Sequence, residues 1–202
     1  MNLVPRVQGI LLKPKEEWVK IKDEPATVSG LITSYAALLA AVPAIAQFIG
    51  FSLIGIKLPY ANVFRLGLGT SLVRAVVSYV FALATVYVAA LVIKILAPNF
   101  SSNPDMVAAT KLAVYSMTPA WIAGVFYLIP ALGILVILAS LYGIYILYLG
   151  FDAGLMNTPK EKVLSYFLVS VIVFIVLLVI FGILLGAIFM AGVGTVRTVP
   201  VL

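Results

Sequence analysis

VLSYFLVSVIVFIVLLVIFGILLGAIFMAGV, residues 163–193, contains no charged side chain and no proline. A helix needs roughly 20 apolar residues to cross a hydrocarbon core about 30 Å thick. This run exceeds that length, so as a helix it must tilt or extend past the bilayer. Four runs of the same character precede it, at 29–56, 69–96, 107–128 and 131–151. Together they predict an all-α integral membrane protein with five transmembrane helices.

The composition points the same way. The chain is 64% hydrophobic and 10% charged, and its mean hydropathy is +1.21. Soluble globular domains carry about 25% charged residues. The 202 residues hold five spans, short loops and one N-terminal segment. The expected division is 1–28 as a cytoplasmic, interfacial segment, 29–193 as the membrane domain, and 194–202 as an extracytoplasmic tail.

There is no cysteine and no histidine. That removes disulfides, the usual zinc and copper ligand sets, and Ser-His or Cys-His nucleophile pairs. No two acids share one span, so no acid–base or metal constellation is visible. We expect no enzyme activity and no cofactor. The net charge is +6, but the basic residues flank apolar runs. They read as topology determinants and lipid headgroup contacts, not as a nucleic-acid surface.

Segment 1–28 shows no signal-peptide pattern. Val4, Val7, Ile10, Leu11, Pro14, Trp18 and Ile21 recur near helical spacing. Pro14 suits a first helical turn. Two short helices are expected, over 3–12 and 14–22, lying on the membrane surface. Trp18 would sit at headgroup depth, and Lys20 and Lys22 would face water and anionic lipid. The alternative is an ordinary solvated helix packed on the loops.

Five spans place the termini on opposite sides. With the N-terminus inside, Arg6, Lys13, Lys15, Lys20, Lys22, Lys94, Lys111, Lys160 and Lys162 are cytoplasmic. Lys57, Arg65, Arg74 and Arg197 lie outside. The positive-inside rule favours this orientation in the cell membrane. All seven acids then also fall on the cytoplasmic side.

Several residues stand out within the spans. Asp152 and Lys94 close the fourth and second runs at similar expected depth. A Lys94–Asp152 pair, joined by Lys111, would make a polar site or proton relay; hydrated helix ends are the plainer reading. Tyr115-Ser116-Met117-Thr118-Pro119 predicts a kink, because Pro119 frees a carbonyl one turn back. Pro43 and Gln47 interrupt the first span. Arg74 is either an anchor or a contact for a phosphate headgroup. Gly182 and Gly186 have the spacing for close helix packing, either between copies or within one chain.

Residues 6–18, RVQGILLKPKEEW, resemble the opening of prokaryotic members of the Yip (Ypt/Rab-interacting protein) family. The segment 111–121, with Tyr115 and Pro119 as its core, resembles that family's second signature. Residues 129–150 and then Thr158, Pro159, Glu161 and Lys162 fit as well. The resemblance implies a multi-pass membrane protein with a cytoplasmic N-terminal region. Eukaryotic members are linked to Rab-type GTPases and vesicle trafficking. Their Asp-Leu-Tyr-Gly-Pro signature is missing here, so Rab binding is not carried over.

The expected function is that of a membrane organiser or scaffold, contacting lipids or a protein partner at its cytoplasmic face. Lys94, Lys111, Tyr115, Pro119 and Asp152 are its candidate binding residues, and a homo-oligomer is compatible with the glycine spacing. The alternative is a small transporter, channel or lipid-handling protein. It predicts a hydrated cavity lined by Gln47, Arg74, Lys94 or Asp152.

Overall fold

Helices follow the apolar runs, and prolines and glycines set where they stop. The computed structural model describes residues 2–57 and 63–193. Side chains are described at all of these except 56–57, 63–64, 130, 181–182 and 184–193. Two short helices come first, α1 (Leu3–Leu12) and α2 (Pro14–Asp23). Lys13 is the hinge between them, and Pro14 takes the first turn of α2, where its missing N–H costs nothing.

The long helix α3 (Val28–Ile54) starts at Thr27, whose hydroxyl accepts the Gly30 N–H at 3.1 Å. It contains two π-helical turns, Ile32–Ala36 and Gly50–Ile54. Gly55 ends it with φ 82, a conformation open to glycine at no steric cost. A two-residue antiparallel pair follows, with Ile56 opposite Phe64 and Lys57 opposite Val63. Next come α4 (Leu68–Leu96) and a 3-10 turn, Ala97–Phe100.

The third apolar run is not one helix. It is α5 (Met106–Ser116), α6 (Thr118–Ala123) and 3-10 turns at Gly124–Leu128 and Pro130–Leu132. Pro119 cannot donate to the α5 ladder, so the path breaks at Met117 and restarts. The expected kink is thus a full helix break. Every residue from Ala108 to Ser116 is buried in the bundle, whereas Val125, Phe126 and Ile129 along the 3-10 stretch are exposed. Then α7 (Gly133–Asp152) and α8 (Lys160–Val193) form an antiparallel pair.

Among the described residues, four helices are long and apolar enough to cross a membrane: α3, α4, α7 and the described part of α8. The broken run nevertheless extends alongside α3 for most of its length. Near one end the Tyr35 and Thr118 hydroxyls meet at 2.9 Å. Near the other, Gly50 lies directly against the carbonyl of Tyr127. Gly182 and Gly186 lie in α8, but their surroundings fall outside the described residues, as does the tail from 194.

Glycine fixes how closely α7 meets the break. A Cβ on Gly143 would stand 2.5 Å from the Ser116 carbonyl oxygen. Neither partner is a flexible side-chain tip, so the helix must move. Gly143→Ala should lower stability by about 1–3 kcal/mol. Thermal unfolding in detergent reads this directly, and an unchanged midpoint would show that the contact is looser than described.

Candidate functional site

The N-terminal helices form a strap along one flank of the bundle. Three contacts fix its register on α7. Tyr142 donates its hydroxyl to the Leu11 carbonyl at 2.9 Å. Trp18 Nε1 donates to the Ile146 carbonyl at 2.9 Å. Lys22 Nζ donates to the Ala153 carbonyl at 3.3 Å. Positions 11, 18 and 22 thus advance with positions 142, 146 and 153. Residues 11–22 run beside the last three turns of α7 in the same direction.

Trp18 is therefore not a headgroup anchor. It is fully buried, as are Ile10 and Ile21. Its ring packs edge-on to Tyr115, with centroids 6.0 Å apart, and Tyr115 meets Tyr35 at 4.9 Å. Gly150 makes room for the indole: a Cβ there would stand 2.9 Å from two ring carbons. A buried indole keeps its large apolar area from solvent while its one N–H donor finds a partner. Of the residues at helical spacing, Ile10, Trp18 and Ile21 are buried, whereas Val4 lies exposed.

Above the aromatic group sits a charge cluster. Arg6 donates to Glu17 at 2.6 Å and also pairs with Glu24. Its guanidinium lies 5.7 Å from the Tyr115 ring centroid, within cation–π range. Glu17 is 9% exposed at its side chain and is also met by Lys20 at 3.1 Å. Gly9 lets that carboxylate pass, since a Cβ there would be 2.5 Å from Glu17 Cδ. The roles of Arg6 and Glu17 were not read from sequence. Their separation, 11 positions apart on two helices, carries no local signal.

Lys111 joins the strap to α5. Its ammonium donates to the carbonyls of Ile21 at 2.7 Å and Glu24 at 2.5 Å, with a longer approach to Lys22 at 3.4 Å. Residues 21–24 close α2, so Lys111 caps the end of a helix in another part of the chain. Beside it, an open cleft of about 530 Å³ is lined by Glu24, Thr27, Ser34, Lys111 and Tyr115.

Lys111 and Tyr115 are thus brought together, with Pro119 buried one turn further on. Lys94 and Asp152 do not pair, and Asp152 is a hydrated helix end, the plainer of the two readings. Asp152 bonds Lys160 at 2.9 Å across the α7–α8 turn, and both side chains are exposed. Among the described residues, Lys94 makes no ion pair. Arg74 lies over the Phe51 ring, 4.7 Å from its centroid. Gln47 lines a separate cavity of about 190 Å³ with Pro43, Ser78 and Trp121. Among the described residues, that cavity is lined by Gln47 but not by Arg74, Lys94 or Asp152. Asp152→Asn should change stability by less than about 1 kcal/mol, as for an exposed pair. Flux through reconstituted vesicles that depends on Asp152 would contradict that plain role.

The sequence profile described as the Yip1 domain matches residues 9–184. "Inner membrane protein YohC" of Escherichia coli strain K12 is 32% identical over 163 residues, covering 79% of this chain and 83% of that protein. The protein of the same name from Escherichia coli O6:H1 gives the same values. Among solved structures there is no significant match.

Proposed function

We propose, because this chain belongs to the Yip1 domain family, that it is a non-enzymatic membrane organiser working through the strap at its cytoplasmic face. It is an integral membrane protein with several apolar helices. In this reading the α5–α6 run is the fifth crossing, since it extends beside α3 inside the bundle. The N-terminus is cytoplasmic and the C-terminus extracytoplasmic, following the excess of Lys and Arg on the strap side.

One observation carries the reading. The outer face of the strap keeps Val4, Leu12 and Val19 exposed, at 61%, 78% and 61%. The exposed Lys13, Lys15 and Lys20 lie among them. Apolar groups set between lysines suit the boundary between acyl chains and anionic headgroups. The inner face is spent on holding the strap to the bundle, so only the outer face is free for lipid or a partner.

Photoreactive residues at Leu12 and Val19 in living cells test this. Both should capture phospholipid or a recurring protein, and capture should fall when Lys13, Lys15 and Lys20 are replaced by Gln. A photoreactive residue at Trp18 should label only this chain. Capture at Leu12 and Val19 no greater than at Trp18 would overturn the reading.

A further inference from the structure

A second cavity, of about 340 Å³, lies inside the bundle away from the strap. It runs between α4, the α5–α6 break, α7 and α8. An apolar cavity of about 150 Å³ is already large enough to hold benzene. Exposed Ser140, Ile144 and Ile175 flank it on α7 and α8, so it opens sideways where lipid lies.

Its hydroxyl groups are not equivalent. Ser116 bonds the Ala113 carbonyl at 3.0 Å, and Ser140 bonds the Val136 carbonyl at 2.8 Å. Both follow the usual habit of a helical serine. Ser170 lines the same cavity, is 3% exposed, and its Oγ has no partner. Buried hydroxyls are rarely left unpaired.

Packing sets the depth of Ser170. Phe151 meets Tyr166 at 4.8 Å, and Tyr148 meets Phe167 at 5.4 Å. One turn further along α8, Ser170 stands level with Ile144. On the other flank of α7, Leu11 and Trp18 bond at Tyr142 and Ile146. Ser170 is thus level with the strap hinge, where Lys13 and Lys15 are exposed. Charged side chains at that level require headgroups or water within a lysine's reach. The layer just beneath headgroups is where lipid ester carbonyls sit. From Ser170 the cavity continues about 12 Å deeper along α8 to Leu178, past a lining that is mainly apolar and also includes Thr85 and Ser140.

We infer that this cavity takes one ester-linked acyl chain of a membrane phospholipid, entering between α7 and α8, with the Ser170 hydroxyl donating to the ester carbonyl. The site is distinct from the strap face and stands whether or not the strap organises anything.

The test uses the full chain in phosphatidylethanolamine–phosphatidylglycerol vesicles. These carry a phospholipid with a diazirine in an ester-linked acyl chain, or its ether-linked counterpart without the carbonyl. The ester probe should label the residues Met117 and Phe174, located by fragmenting the labelled peptides. Ser170→Ala should reduce that labelling about five-fold, to the level of the ether probe. Ala120→Phe, which fills the cavity, should abolish labelling by both probes while leaving it at the outward-facing Ile172 and Val179. Labelling confined to Ile172 and Val179 in the unaltered protein would overturn the site. Equal capture of the two probes, unchanged by Ser170→Ala, would overturn the hydrogen bond. If Ala120→Phe does not fold, the ester–ether comparison on the unaltered chain still decides.

Discussion

Trp18→Ala should destabilise the protein by about 3–5 kcal/mol, the range for removing a fully buried large aromatic side chain, and should free α1 and α2 from the bundle. The indole is 0% exposed. It fills the space over Gly150, meets Tyr115 edge-on, and bonds the Ile146 carbonyl. Removing it takes away the strap's largest buried contact and leaves a void that neighbouring helices cannot close. Trp18→Phe keeps most of the ring and loses the hydrogen bond, so its cost should be about 1–2 kcal/mol. Unfolding in detergent gives the energies, and trypsin cleavage at Lys15 and Lys20 reports release of the strap. A change within about 0.5 kcal/mol for Trp18→Ala is what a surface side chain would give, and would return Trp18 to the interface.

Lys111→Met should cost about 2–4 kcal/mol, because it leaves buried carbonyls at the end of α2 without their donor. The ammonium serves Ile21 and Glu24 at 2.7 and 2.5 Å, with Lys22 further off. Methionine preserves the volume but donates nothing. Hydrogen exchange should rise over residues 21–27 and change little in α4, which separates a lost cap from general unfolding. Lys111→Arg should recover only part of the loss, since a planar fork cannot direct its donors as an ammonium does. Unchanged exchange over 21–27 in Lys111→Met would show that water or the α2 backbone satisfies those carbonyls instead.

Both variants also bear on the proposed role. If the strap is the working face, its release should reduce phospholipid capture at Leu12 and Val19 even though neither side chain is altered. Asp152→Asn, remote from the strap's outer face, should leave that capture intact.

The apolar runs made the solvent and the helical class legible. Hydrocarbon demands long uninterrupted stretches without charge, and no tertiary context is needed to see one. Pro14 as the start of α2 and Pro119 as a disturbance of the third run were equally local, because a missing N–H acts within one turn, although the kink expected at Pro119 is a break. The third run shows the limit of that reasoning. Its length suits a span, yet Pro119, Gly124 and Pro130 divide it into pieces that pack against α3, α4 and α7.

Of the two readings of Lys94 and Asp152, the pair does not form, for a similar reason. Equal depth along two helices says nothing about rotation around them, and Asp152 finds Lys160 across its own turn. The partners of Trp18 and Arg6 depend on where Gly150 and Gly9 let side chains approach, and those of Lys111 on where α2 ends beside α5. Residue order and hydropathy determined that this chain is a helical membrane protein with an amphipathic lead segment. Only the packed structure decided that the segment is a strap against α7, because which groups meet is set by shape and distance between elements far apart in the chain.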